Sequence, residues 1–167
     1  LLAVQAAKID GAGTVMVTGL ERDEGRLAVA EELGVDVAVN VQKEDPVVVA
    51  KNLTGNLGVD IVYELSGSPA AFKQGLKMLR RGGQMILIGL SMGIGEITPI
   101  SDVVRAEVTV RGSFNYVPQT WRRAMKLLGR GMVKLKPLIT HQLPLERAAE
   151  GFQLARSGKA IKVLLIP

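Results

Sequence analysis

Strand-like and helix-like patterns alternate along the chain, and this alternation limits the possible fold more than any other feature of the sequence. The apolar runs at 14–18 and 59–65 are each followed by a segment with apolar side chains at helical spacing, over 23–33 and 70–80. Because strands that alternate with helices form βαβ units, the sequence predicts an α/β fold with a parallel sheet.

Other segments continue the pattern, and glycine and proline mark many of their ends. Gly34 stops the helix over 23–33, and Asp45-Pro46 begins a helix that we expect to run to about Leu53. Further strands are predicted at 35–39, 84–89, 107–111 and 160–166, and further helices at 121–129 and 145–157.

Composition excludes several classes of protein. The hydrophobic fraction of 47% is enough for a sizeable core, and the length of 167 residues suits one domain or one domain plus a tail. The apolar runs lack polar alternation, which predicts strands that are buried on both faces. There is no cysteine, so a disulfide framework and a thiolate zinc site are excluded within this segment.

The net charge of +5 does not by itself indicate a nucleic-acid partner. Basic residues are mixed with acids, as in Glu21–Arg26, and they are not interleaved with aromatic residues that would stack on bases. No apolar stretch reaches the roughly 18 residues that cross a membrane. We therefore expect neither a nucleic-acid partner nor a membrane span.

Six stretches in uninterrupted order resemble one family, the zinc-type medium-chain dehydrogenases/reductases, and within it the sorbitol, threonine and alcohol dehydrogenases. They are Leu27-Ala-Val-Ala-Glu-Glu-Leu-Gly34, Val59-Asp-Ile-Val-Tyr-Glu-Leu-Ser-Gly67, Leu79-Arg-Arg-Gly-Gly83 running into Ile88-Gly89-Leu90, Val110-Arg-Gly-Ser-Phe114, Lys136-Pro-Leu-Ile-Thr-His141, and Pro144-Leu-Glu-Arg-Ala148 leading to Ala155-Arg-Ser-Gly-Lys-Ala160. A methyltransferase that uses S-adenosylmethionine shares the alternation but lacks this order of motifs.

The resemblance implies a doubly wound parallel sheet of the Rossmann type, incomplete at its N-terminus. Leu1 opens within a helical pattern, and 14–18 corresponds to the second strand, so the first strand and its glycine-rich turn are not in the sequence. Residues 1–114 would form most of the dinucleotide-binding domain, and 115–167 would return to the catalytic domain. Because the first strand is central in such a sheet, we expect residues 1–167 alone to fold poorly or to associate.

The same resemblance implies hydride transfer between a nicotinamide coenzyme, NADP or NAD, and an alcohol or ketone, with zinc polarising the substrate oxygen. Family zinc ligands lie outside this segment, so we assign no catalytic residue and no metal ligand here, and we expect the segment alone to be inactive. A cytoplasmic homo-oligomer is expected for the full-length form. A zinc-free oxidoreductase of quinone-reductase type and a non-catalytic nucleotide-binding or interaction module remain alternatives.

Three residues after the strand at 14–18 bear on the choice of coenzyme. Gly19 stands where the NAD-specific pattern places a carboxylate that binds the ribose 2′-hydroxyl. Arg22 and Arg26 follow, and a guanidinium pairs well with phosphate; in the family, the position of Arg26 lies against the adenine. These residues predict NADP preference or use of both coenzymes. Two alternatives remain: Gly19 is a plain turn residue, or a carboxylate at 21, 23 or 24 reaches the ribose.

Three later segments are also predicted to contact the coenzyme. They are Ser66 with Gly67; Ile88, Gly89 and Leu90; and Ser113, Phe114 and Asn115. Ser66-Gly67 follows a strand at its carboxyl end, where ligands of open α/β sheets bind, although a simple strand-ending turn is the alternative. The resemblance places the other two segments near the nicotinamide. The sorbitol dehydrogenase pattern has Arg where Asn115 stands, which argues against polyol specificity but not against dehydrogenase chemistry.

Several other residues are interpreted as structural. Gly93-Ile94-Gly95 is predicted to be a loop and not a dinucleotide fingerprint, because no helix is expected after it. His141, the only histidine, has no second potential metal ligand near it in sequence. Asp60 fits a hydrogen-bonding role at the start of a strand, and Arg80-Arg81 fits the C-terminus of a helix, where the helix dipole favours positive charge.

Overall fold

The computed structural model describes residues 1–90 and 100–167, which form two compact units: 1–43 together with 117–167, and 44–116. The helices are α1 Leu2–Ile9, α2 Glu24–Glu32, α3 Pro46–Leu53, α4 Pro69–Met78, α5 Ile100–Ala106, α6 Pro118–Gly129 and α7 Ala148–Ser157. The strands are β1 Met16–Gly19, β2 Val37–Asn40, β3 Val59–Glu64, β4 Leu79–Leu87, β5 Thr109–Gly112, β6 Ile139–Pro144 and β7 Lys162–Ile166. Gly93-Ile94-Gly95 lies outside the described residues.

The first unit, 1–43 with 117–167, contains two parallel strand pairs. β1 pairs with β2 in a register that runs from Met16 opposite Val37 to Gly19 opposite Asn40. β6 pairs with β7, and α7 packs against both. Gly151 permits this close packing, because a Cβ there would lie 3.2 Å from Val163 Cγ1.

The second unit, 44–116, contains a three-stranded parallel sheet in the order β3-β4-β5. Its core consists of Leu76, Leu79, Met85 and Val108, and α4 packs closely on the sheet at Gly75. Helix α3 begins with Asp45, whose carboxylate accepts a hydrogen bond from the Val47 N–H at 2.8 Å and so caps the helix.

Parallel pairing in all three sheets confirms the α/β prediction. Within residues 1–90 and 100–167, β1 pairs only with β2, and β3 pairs only with β4. Strands β1 and β3 therefore each have one edge without a hydrogen-bonded neighbour in the described part of the chain.

The structure differs from the sequence-based predictions in several respects. The prediction that strands are buried on both faces is wrong, since Ile61 and Tyr63 of β3 are each 46% exposed. Helix α5 and strand β6 were not predicted.

None of the helices in the described ranges has the length and hydropathy to cross a bilayer.

The interpretation of Arg80-Arg81 as a helix C-terminus is wrong. Helix α4 ends at Met78, and both arginines lie in β4, where the register shifts along β3. The Arg80 Nε donates to Asp60 at 2.6 Å, and Arg81 pairs with Glu107 at 2.5 Å. The hydrogen bond from Arg81 holds the pKa of the Glu107 carboxyl below its usual value. The two charges therefore pair with neighbouring acids instead of a helix dipole.

Candidate functional site

The turn that follows β1 is fixed to the end of β2 by hydrogen bonds. We call Gly19–Arg26 together with Asn40 and Gln42 the β1 corner. The Glu21 N–H donates to Gln42 Oε1 at 2.8 Å, and the Gln42 N–H donates to Asn40 Oδ1 at 3.0 Å. The Val41 N–H donates to the Gly19 carbonyl at 2.9 Å. These bonds fix the backbone at the carboxyl ends of β1 and β2.

Gly19 is tightly enclosed at this corner. A Cβ at this position would lie 3.2 Å from both Asp23 Cβ and Leu27 Cδ2, closer than ordinary van der Waals contact. A side chain at position 19 would therefore require Asp23 or Leu27 to move. The local packing favours glycine, so the corner has no carboxylate at the end of β1.

Most charged side chains of the corner already have partners. Arg26 donates to Asp23 Oδ1 at 3.0 Å and to the carbonyls of Gly158 and Ala160 at 2.9 and 2.7 Å. Lys43 pairs with Glu24 at 2.8 Å. Both terminal nitrogens of Arg26 are therefore hydrogen-bonded. Asp23 and Glu24, two of the three carboxylates that were alternatives for binding the ribose, are paired as well.

Arg22 and Glu21 differ from these paired neighbours. Both are exposed, and neither side chain forms a hydrogen bond or ion pair within residues 1–90 and 100–167. Arg22 is therefore the guanidinium of the corner that remains available to an anion. Glu21 is the corresponding carboxylate that remains available to a hydroxyl.

A second cluster lies at the carboxyl ends of β3, β4 and β5. We call residues 64–67, 87–90 and 112–115 the strand-end loops. The Ile88 and Gly89 N–H groups donate to the Glu64 carbonyl at 2.8 and 3.0 Å, and the Ser113 N–H donates to the Leu87 carbonyl at 2.8 Å. The structure thus links the three segments that were predicted to contact the coenzyme on this sheet.

Two glycines allow the first two of these loops to approach each other. Gly67 has φ +70°, in the left-handed region that favours glycine. A Cβ on Gly89 would lie 2.7 Å from the Leu65 carbonyl carbon and from the Ser66 N, and it would also clash with the Gly67 N. The contact between the loops is therefore made by backbone atoms, and it leaves no room for a side chain at position 89.

The apolar side chains of these loops face outward. Ile88 is 40% exposed, Leu90 68% and Phe114 77%. Asn115 has a positive φ of 62°, and its Oδ1 accepts a hydrogen bond from the Tyr116 N–H at 3.0 Å. Exposed apolar surface at the carboxyl ends of parallel strands is the location at which open α/β sheets bind ligands.

Sequence reasoning did not give Glu64 or Gln42 a role in either cluster. A signal for Glu64 was present, because an acid followed two residues later by Ser-Gly can hydrogen-bond the backbone of a turn. Gln42 had no such signal, since its partner Glu21 is distant in sequence.

His141 lies in β6 beside Thr140. Within the two described ranges, no group of three or more His, Cys, Asp or Glu residues could hold a metal ion.

The parallel sheets and the strand-end loops define the class of doubly wound α/β proteins. The family model for the zinc-binding dehydrogenases matches residues 1–130. The chain belongs to this family.

Relatives support the same assignment over the whole chain. The chain is 42% identical to L-threonine 3-dehydrogenase of Bacillus velezensis, over 100% of the chain and 48% of that protein. It is 38% identical to sorbitol dehydrogenase of Halalkalibacterium halodurans, again over 100% of the chain and 48% of the relative. An alcohol dehydrogenase structure from Thermotoga maritima matches with a TM-score of 0.90 and 27% identity, over 98% of the chain and 46% of that structure. The chain therefore spans about half the length of these relatives.

Proposed function

We propose that the complete polypeptide containing this chain is an NAD(P)-dependent alcohol or polyol dehydrogenase, and that this chain supplies its coenzyme-binding part. The observation that carries the proposal is the linkage of three loops at the carboxyl ends of one parallel sheet. A dinucleotide binds at this edge of a doubly wound sheet. The strand-end loops fit it, because Gly89 lets the first two loops pack backbone to backbone at this edge and their apolar side chains Leu90 and Phe114 are exposed.

The coenzyme supplies the hydride chemistry when it is bound. We propose that Ser66, Gly67, Ile88, Gly89, Leu90, Ser113, Phe114 and Asn115 line its nicotinamide side. We propose no metal-binding role for the residues of this chain. Cytoplasmic location, a homo-oligomeric state, inactivity of the isolated chain and the division at residue 114 stay predictions.

We propose that NADP is preferred, or that both coenzymes are used. Gly19 offers no carboxylate to a ribose hydroxyl, and Arg22 is exposed without a partner in the described ranges. A guanidinium can bind a 2′-phosphate through two parallel hydrogen bonds. Both terminal nitrogens of Arg26 are hydrogen-bonded, to Asp23, Gly158 and Ala160, so we assign its planar face to the adenine.

Coenzyme titrations of the complete polypeptide test this assignment. Arg22→Ala should raise the Kd for NADPH about tenfold, as expected for loss of a charge-assisted hydrogen bond, and leave the Kd for NADH within about twofold. Arg122→Ala, which removes an exposed arginine from α6, is the matched control and should change neither Kd.

Two results would contradict the coenzyme assignment. A strong preference of the unmodified protein for NADH would exclude NADP preference and favour Glu21 as the ribose ligand; Glu21→Gln should then weaken NADH binding. Failure of the complete polypeptide to bind either coenzyme would reject the proposed dehydrogenase.

A further inference from the structure

Glu64 is a buried acid at the start of the first strand-end loop, residues 64–67. The residue is 6% exposed, and it is the last residue of β3. A carboxylate in such a position is costly unless hydrogen bonds satisfy it. The hydrogen-bond partners of Glu64 therefore show which backbone segments this residue fixes in place.

Among residues 1–90 and 100–167, the donors to the Glu64 carboxylate all belong to the loop 64–67. Oε1 accepts from the Ser66 N–H at 2.8 Å, from the Ser66 hydroxyl and from the Gly67 N–H at 3.1 Å. Oε2 accepts from the Gly67 N–H at 2.9 Å. Each of these contacts comes from an N–H or O–H donor, so the position suits a side chain with two acceptor oxygens. These bonds direct the amides of Ser66 and Gly67 toward Glu64.

The main chain of Glu64 holds the second loop. Its carbonyl accepts both the Ile88 and the Gly89 N–H groups. Glu64 therefore binds four residues that we assign to the coenzyme, Ser66 and Gly67 through its side chain and Ile88 and Gly89 through its backbone. Gly89 in turn packs directly against the backbone of 65–67, so a shift of one loop moves the other.

Asp60 shows that an acid on β3 need not have this role. Its carboxylate is 78% exposed and pairs with Arg80 near the start of the strand. An exposed ion pair of this kind contributes little to stability. Asp60 is thus a suitable control for the removal of a negative charge from β3.

We propose that Glu64 is a positioning residue for the nicotinamide dinucleotide, which holds the backbone of Ser66–Gly67 and Ile88–Gly89 in the geometry that receives the coenzyme. This inference rests on the proposed function. Glu64 acts through these two loops and does not itself touch the coenzyme. Because small displacements of a binding group strongly reduce affinity and rate, loss of this carboxylate should weaken coenzyme binding.

The test uses the complete polypeptide with Glu64→Gln, and Asp60→Asn as the matched control. Glutamine keeps the shape but turns one acceptor into an amide that opposes the Ser66 or Gly67 donors. The Kd values for NADPH and NADH, measured by fluorescence titration, should rise about tenfold in Glu64→Gln and stay within twofold in Asp60→Asn. With saturating coenzyme, the KM for the alcohol should stay within twofold of the unmodified value.

Melting curves without coenzyme separate positioning from general stabilisation. A lower Tm in Glu64→Gln with unchanged coenzyme Kd at a temperature where the protein is folded would overturn the inference and leave the proposed function intact. If Glu64→Gln does not fold, Glu64→Asp decides: it keeps the charge but shortens the reach. A rise of the coenzyme Kd of about threefold in that variant supports the inference, and an unchanged Kd overturns it. An unmodified protein that binds no coenzyme rejects both proposals.

Discussion

At the scale of single residues, Asp36 shows how a polar side chain fixes a local contact. Its carboxylate accepts hydrogen bonds from Lys8 and from the Val15 N–H, the latter at 2.6 Å. These bonds, with that from Lys8 the larger cause, hold the pKa of Asp36 below its usual value. Asp36 thus connects α1 with the segments that lead into β1 and β2.

The lowered pKa of Asp36 predicts a pH-dependent contribution to stability. Because the pKa is lower in the folded state, the contribution is present above the unfolded pKa and is lost as the pH falls through the folded pKa. Asp36→Asn should lower the Tm at pH 7, and the difference from the unmodified protein should disappear in acid. Glu44→Gln, which alters an exposed carboxylate, should show no such convergence. A Tm difference for Asp36→Asn that does not depend on pH would contradict the assignment.

Reasoning from the sequence could nominate positions near strand ends. Gly19 ends β1, and Ser66 and Gly67 follow β3; strand ends are visible as changes in apolar pattern, and the role of these residues toward the coenzyme stays a prediction. The partners of Arg26 were not visible, because Gly158 and Ala160 become neighbours only in the folded unit. The sequence therefore gives candidate residues for the coenzyme, and the structure distinguishes the engaged arginine from the available one.

At the scale of elements, the contact between the ends of β3 and β4 depends on a missing side chain. Gly89→Ala should destabilise the complete polypeptide by about 1–3 kcal/mol, because its Cβ would meet backbone atoms that cannot rotate away. Gly112→Ala is the control at the end of β5, where no atom of residues 1–90 or 100–167 lies within 4 Å of a Cβ, and it should change stability by less than about 0.5 kcal/mol. Equal Tm values for the two variants would contradict the close contact.

The sequence did not predict α5 and β6, whose local residue patterns are weak. Helix α5 contains the adjacent β-branched residues Val103 and Val104, which are poor helix formers. Val103 and Ala106 pack against the core that includes Met85, so tertiary contacts stabilise this short helix. Helix α2 and strand β3 were predicted because their apolar residues recur at the spacing of a helix and in an apolar run, respectively.

At the scale of the whole molecule, β1 and β3 each present an edge without a partner in the described ranges. Unpaired strand edges are templates for pairing with another chain. We therefore expect the isolated chain of 167 residues to associate. Sedimentation velocity at increasing concentration should show species larger than 17.9 kDa.

A charge on one of these edge strands should reduce the association. Ile61→Lys places a lysine at an exposed position of β3, where charge disfavours edge-to-edge pairing. Leu145→Lys, at an exposed position outside the strands, controls for the added charge and should leave association unchanged. A monomeric isolated chain with a cooperative melting transition would refute the prediction.

The hydrogen bonds from Arg26 to Gly158 and Ala160 span 132 and 134 positions of the chain. During synthesis the arginine leaves the ribosome long before its partners exist, and at about 5–20 residues per second the delay is on the order of ten seconds. The unit formed by 44–116 is continuous in sequence, whereas the other unit needs both 1–43 and 117–167. The nascent chain can therefore complete the unit 44–116 first, and Arg26, although it can already pair with Asp23, lacks its two carbonyl partners until 158–160 have been synthesised.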